Sequence, residues 1–194
     1  MLDPSEWHLR AWTSTGFGES GAARKCGRDG AEHAAAQGFE AGMDTVKIEV
    51  ICPRLLAAVR RTASPREVPR VFKPALDLVW AFLRKHEGLR SDGHNVFLYH
   101  HVSRPDAGMP IDFGVEVTRR FEPEGEVHCV ETPAGEASTL VHQGPYSALP
   151  KAHAALRNWC AEKERAIGGY SLEIYGDWSN DPTRLETTIQ YLLR

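Results

Sequence analysis

A chain of 194 residues has room for one ordinary domain with or without a tail, and its 42% hydrophobic and 25% charged content is that of a globular protein. The formal net charge of −3 gives no electrostatic case for nucleic acid, whose binders carry a basic patch or stripe. No segment approaches the roughly 18 apolar residues of a membrane span, and no basic-then-apolar start marks a secretory signal. The four cysteines, Cys26, Cys52, Cys129 and Cys160, form no C-x-x-C pair, which argues against a zinc site or a disulfide framework. They read as free thiols in a reducing cytoplasm.

Residues 1–42 are rich in Gly, Ala and Ser and weak in periodicity, with Trp7 and Trp12 as their large anchors. A disordered leader is expected there, with a short helix around Gly30–Gln37. Met43 then begins a clean strand pattern, as it would if it were the true start and the leader came from a misplaced start codon. Val46–Ile51 alternates apolar and polar residues, as a half-buried strand does. Pro53 breaks it, and Leu55–Arg61 is a second strand. Ser64-Pro65 opens a helix to about His86, starting late near Arg70 or kinked at Pro74. Its apolar stripe is Val71, Ala75, Leu78, Val79 and Phe82, and Gly88 stops it.

Val96–Val102 is a third strand, Arg104–Pro110 a loop, Ile111–Phe121 a long alternating strand and Pro123-Glu124-Gly125 a turn. The pattern then repeats. Val127–Glu131 and Ala137–His142 are strands. Gly144-Pro145-Tyr146 leads into a helix from Ala148 to Ala166, with Ala152, Ala155, Leu156, Trp159 and Cys160 inward. Gly168-Gly169 ends it. Tyr170–Tyr175 and Thr187–Leu193 are the last strands.

The halves can be laid on each other. Val68-Pro69 falls on Leu149-Pro150, Trp80 on Trp159, and Val96-Phe97-Leu98-Tyr99 on Leu172-Glu173-Ile174-Tyr175. Each half is strand–strand–helix–strand–strand. The expected fold is α+β: two helices on an antiparallel sheet, pseudo-twofold, with a central cleft at the seam.

Thr132-Pro133-Ala134-Gly135, then Val141-His142-Gln143-Gly144-Pro145-Tyr146, Leu149-Pro150, Ala155-Leu156 and Trp159 form one telling run. Leu172-Glu173-Ile174-Tyr175 with Asp181-Pro182 and Thr187-Thr188-Ile189 forms a second, and Asp112-Phe113-Gly114-Val115-Glu116-Val117 a third. In this order they resemble the GyrI-like (gyrase-inhibitor-like) effector-binding domain, and the resemblance spans residues 43–194. It implies a stand-alone small-molecule-binding domain, of the kind also used as the sensor part of transcription regulators. There are departures. Ala63-Ser64-Pro65-Arg66 replaces the first-half Gly-Pro-Tyr, and Thr188, Gln190 and Leu192 replace an acidic residue, a tyrosine and a proline near the C-terminus.

Glu173 is the most interesting residue. Alternation sends Leu172 and Ile174 to one face and Glu173 and Tyr175 to the other. If the helices cover the first face, Glu173 lies on the opposite one. It is then either a surface glutamate or a partly buried carboxylate in the cleft. The resemblance, whose matching glutamate faces the ligand pocket, implies the second. A cationic ligand would pair with such a group, and aromatic rings would add cation–π attraction. Tyr146, Tyr175, Tyr99, Phe113, Trp80 and Trp178 are candidate walls or plain core. His142 begins the Gly-Pro-Tyr turn and either caps it or bonds a ligand. His100 and His101 are adjacent in a strand, point to opposite faces and cannot chelate together. Neither metal nor cofactor is expected. No G-x-S-x-G and no phosphate loop is present.

Three functions follow. The first is capture of an aromatic or amphipathic, cation-favouring organic molecule, as in multidrug or toxin sensing or sequestration. The chain would bind no nucleic acid directly and would signal through a regulatory protein partner. The second, implied by some stand-alone relatives, is hydrolysis of reactive cyclopropane-bearing compounds, with Glu173 as general base and Tyr146 or Tyr175 as proton donor. The third is protein binding, such as gyrase inhibition, which only the family name recommends.

Overall fold

The computed structural model describes residues 45–102 and 108–194, with backbone alone at residues 92 and 93. The expected leader, the start at Met43 and part of the 104–110 loop lie outside the described residues.

The elements run in chain order as β1 (Lys47–Ile51), β2 (Leu55–Ala63), α1 (Val68–Lys85), β3 (Arg90–His100), β4 (Met109–Val117), β5 (His128–Glu131), β6 (Gly135–Gln143), α2 (Leu149–Glu162), β7 (Ile167–Tyr175) and β8 (Glu186–Leu193). Short 3-10 turns cover Tyr146–Ala148 and Pro182–Arg184. The strands make one antiparallel sheet of eight, in the order β1-β6-β8-β7-β3-β4-β2-β5. This is the expected α+β duplication, with one exchange. The first strand of each half pairs with the other half, β1 on β6 and β5 on β2. The connectors at 52–54 and 132–134 bond each other: Arg54 N–H donates to Thr132 Oγ1 at 2.9 Å, and Thr132 N–H to the Arg54 carbonyl at 2.8 Å. The sheet therefore curls until its two ends are tied together.

Several boundaries move for physical reasons. Pro69 sits in the first turn of α1, where its missing N–H costs nothing, so the helix starts at Val68. It runs on through Pro74, which is exposed, so water can bond the carbonyl that the proline leaves unpaired. The buried stripe of α1 is Phe72, Ala75, Leu76, Val79, Phe82 and Leu83, with Leu78 exposed. The expected stripe was rotated by about one residue. In α2, Leu149, Ala152, Leu156 and Cys160 are buried and Ala155 is exposed. That helix stops at Glu162, because Glu164 takes φ 53° and Arg165 N–H returns to the Cys160 carbonyl at 2.8 Å. Gly168 and Gly169 do not end a helix. They lie in β7 at its register shift, and a Cβ on Gly168 would sit 3.2 Å from the Leu192 carbonyl.

One sheet face carries both helices. Ala57, Val59, Phe97, Ile111, Phe113 and Val115 pack against α1, and Leu140, Ile189 and Tyr191 against α2. Tyr175 touches both clusters. The other face folds on itself around Leu56, Ala58, Val96, Leu98, Leu172 and Leu192. Each of the leucines and valines contributes about 1.5–3 kcal/mol on burial. The helices thus cover the Glu173 face, and the face of Leu172 and Ile174 is the helix-free one. That reverses the conditional placement drawn from alternation. No helix among the described residues is long and apolar enough to cross a membrane.

On the helix-free face Asp112 is wholly buried. Arg60 grips it in a fork, Nε at 2.8 Å and NH2 at 2.7 Å, and His100 Nε2 stands at 2.7 Å from Oδ2. Nearby, Arg54 pairs with Glu116 and Arg61 with Glu126, so these three arginines serve intramolecular ion pairs. Burial pushes the Asp112 carboxyl up, but the bonds from His100 and Arg60 outweigh it and hold the group at about 2. Its folded value lies below its unfolded value. The stabilisation is therefore full above about pH 4 and is lost as pH falls through about 2, and its size is on the order of 2 kcal/mol. Urea midpoints of wild type and Asp112→Asn should differ most near neutrality and converge at about pH 2. A gap that stays constant across that window would count against this assignment.

Candidate functional site

The middle of the sheet is the β3-β7 ladder, where Phe97 stands opposite Glu173 and Tyr99 opposite Ser171. On the other side of β7, Ile189 stands opposite Glu173. Alternation therefore places a carboxylate between two apolar side chains, under the helices. Only 6% of Glu173 is exposed. A carboxylate buried this way costs several kcal/mol unless donors surround it.

Those donors are present. Tyr99 and Tyr175 donate their hydroxyls to Oε2 at 2.8 and 2.6 Å. His153, from α2, places Nε2 at 2.7 Å from Oε1. The ring is held from behind by Tyr191, whose hydroxyl is 2.9 Å from Nδ1. Arg157, one turn further along α2, donates to the same hydroxyl at 3.1 Å. His101 approaches from the end of β3, bonded to Ser171 at 2.8 Å and 5.7 Å from the Tyr191 ring.

Aromatic rings complete the surroundings. Tyr146, on the 3-10 turn before α2, meets Tyr175 edge-on at 5.3 Å. Tyr175 lies 4.8 Å from Phe97, and Phe97 lies 4.7 Å from Phe113. Tyr99, Tyr146, Tyr175 and His153 each keep part of their surface in solvent, so the carboxylate forms the floor of an aromatic patch that water reaches. Thr187, wholly buried, stands opposite both Tyr175 and His142, and its hydroxyl has no hydrogen-bond partner.

Burial, then the Glu173 charge, pushes the Tyr99 and Tyr175 phenols well above their ordinary range. Burial also raises Tyr191, against the bond from Arg157, and raises Tyr146. All of them stay neutral donors at physiological pH. His101 is lowered by burial and by the nearby His153, Arg157 and His100.

A family described as the GyrI-like small molecule binding domain matches residues 44–194. The chain belongs to this GyrI-like family. No curated protein matches it. Among solved structures, the EcmrR C-terminal domain is similar at TM-score 0.65 and 20% identity, over 78% of this chain and 98% of that one. SAV2435 bound to tetraphenylphosphonium is similar at TM-score 0.62 and 9% identity, over 77% of this chain and 94% of that one. A hydrolase from Listeria innocua is similar at TM-score 0.50 and 9% identity, over 78% and 93%. At these identities the likeness is one of fold.

Within this GyrI-like domain, four of the expected residues come together: Glu173, Tyr99, Tyr175 and Tyr146. Phe113 stands beside Phe97 across the β3-β4 ladder, one strand further from Glu173. His142 is buried against its own turn, with Nε2 at 3.4 Å from the Pro145 carbonyl. Trp80 is elsewhere. It bonds Asn95 and lies under Arg90, towards the other end of β3. Trp178 lies in the β7–β8 connection. A separate groove at the C-terminal end of α1, lined by Leu78, Phe82, Lys85 and Val127, shares no residue with the cluster. His153, Tyr191, Arg157 and Ser171 were not singled out from sequence, and His101 was weighed there only as a metal ligand. His153 had one signal: it is four residues after Leu149 and three before Leu156, at the edge of the core stripe of α2.

Removing a donor from a buried carboxylate leaves it under-solvated. Tyr175→Phe should cost about 1.5–3 kcal/mol in urea unfolding, and much less in a Glu173→Gln background. Equal costs in both backgrounds would mean that the hydroxyl does not serve the carboxylate.

Proposed function

We propose that the domain binds a small aromatic or amphipathic organic molecule over the β3-β7 seam, with Glu173 as polar anchor and a preference for cations. The observation that carries this reading is a carboxylate, 6% exposed, set among Phe97, Tyr99, Tyr146 and Tyr175. Planar rings over a low-dielectric negative charge attract a delocalised cation, with cation–π terms of about 0.5–2 kcal/mol each. The family description and the tetraphenylphosphonium held by SAV2435 support the same class of ligand. The biological use would be sensing or sequestration of drugs or toxins.

A second reading is hydrolysis of reactive small molecules. It is favoured by the His153–Glu173 contact at 2.7 Å, a base with a second titratable group beside it and with Tyr146 as a nearby proton donor. Stoichiometric binding without turnover of such compounds would remove it.

Thermal shift of wild type and Glu173→Gln against cationic, neutral and anionic aromatics tests the binding reading. Ligand at about 100 times its dissociation constant should add about 2.7 kcal/mol of stability. Cations should stabilise the wild type and not the variant. If no compound shifts either protein, the reading fails.

A further inference from the structure

Resting on the binding reading above, we propose that His153 is a built-in counter-ion for Glu173, which competes with cationic ligands and makes their affinity rise with pH. The argument begins with the two ring nitrogens. Nε2 is 2.7 Å from Glu173 Oε1 and must donate to it, since a carboxylate offers only lone pairs. Nδ1 is 2.9 Å from the Tyr191 hydroxyl. A hydroxyl both donates and accepts. With neutral imidazole, Tyr191 donates to Nδ1. With imidazolium, Nδ1–H donates to Tyr191. Arg157 donates to the Tyr191 oxygen in either case. The heavy atoms accommodate both protonation states without moving.

The electrostatic consequence differs between the states. Beside a neutral ring the Glu173 charge is uncompensated, and a cation entering the aromatic patch is attracted. Beside imidazolium the pair is neutral, Arg157 adds a positive charge nearby, and the cation gains little. The other titratable or charged groups facing the pair are Tyr99 and His101 from β3, Tyr175 from β7, Tyr191 from β8, Cys160 and Arg157 from α2, and Tyr146 from the turn before it. The phenols remain neutral and Arg157 remains charged through the neutral range. His101 bonds Ser171 instead of Glu173. His153 is therefore the ring whose protonation acts directly on the anchor.

The pseudo-twofold shows that this pair is specific to one half. Laying Val68-Pro69 on Leu149-Pro150 puts Phe72 where His153 stands, and Phe97 is the counterpart of Glu173. In the first half the corresponding contact is the Phe72–Phe97 ring pair at 5.8 Å. A purely apolar pair fills the same place in the fold. Packing alone therefore does not call for the histidine.

The test uses tetraphenylphosphonium, a permanent cation whose own charge does not titrate. Its dissociation constant would be measured on the whole chain by calorimetry from about pH 5.5 to about pH 8, across the range in which histidine titrates. One pH unit below the imidazole midpoint only about a tenth of the molecules are competent, so the apparent constant weakens about tenfold. Binding should also release a proton, seen in the wild type as a heat that depends on the buffer. His153→Gln keeps an N–H for Glu173 but cannot titrate, and should abolish both effects. His101→Gln should keep both. Binding that needs Glu173 but is flat with pH, or that keeps its slope in His153→Gln as titration of Glu173 itself would give, overturns the counter-ion while leaving the binding reading intact. Wild type that binds the cation at no pH, with Glu173→Gln no different, overturns both.

Discussion

The pairing of β3 with β7 is the constraint on which the rest of the molecule depends. It joins the two halves of the chain through the ladder from Val96–Ile174 to His100–Tyr170. The distant ends of the sheet are tied by the connectors at 52–54 and 132–134. With both closures in place the helix-free face curls on itself, with aliphatic Leu56, Leu98 and Leu172 packed at its centre and the Asp112 ion cluster on the same face. The helix face has two cores, one under each helix, and the seam between them is where polar groups can be accommodated.

The duplication is geometric and not chemical. Along the seam, Phe97 and Glu173 occupy equivalent places, as do Tyr99 and Tyr175. Opposite them, Phe113 corresponds to Ile189 and Ile111 to Thr187. One half supplies an apolar wall and a single hydroxyl. The other supplies the carboxylate, His153 and the hydroxyls of Tyr146, Tyr175 and Tyr191. A twofold scaffold thereby presents an asymmetric site, in which one half alone contributes the carboxylate and its histidine.

Two buried carboxylates differ in how their surroundings treat the charge. Asp112 is wholly buried, gripped by a guanidinium fork and by His100, and its partners hold it ionised far into acid. Arg60 neutralises it permanently, so nothing remains for a ligand. Glu173 has no arginine on it. Its donors are phenols, which carry no charge, and an imidazole, whose charge depends on pH. Uncharged donors can solvate a carboxylate without cancelling its charge, and the proposed preference for cations rests on that arrangement.

Much of this was legible in the sequence. Strand alternation, the proline and glycine punctuation and the repeat fixed the element order, the α+β class and the shared face of Glu173 and Tyr175, because a period of two admits no other arrangement within a strand. Sequence could not say which face the helices cover, since Leu172-Glu173-Ile174-Tyr175 reads equally well with either face inward. Nor could it find the exchange of β1 and β5 between halves, or the encounter of His153 with Glu173. Those depend on which strands become neighbours and on how α2 is rotated over the sheet. Trp80 was drawn to the site by its residue type and lies elsewhere, because its position along α1 brings it to Asn95. The sequence by itself determined the elements and the chemical groups they carry. The tertiary structure alone decided which groups meet, because a contact between α2 and β7 is set by packing across the seam and leaves no periodic trace in either segment.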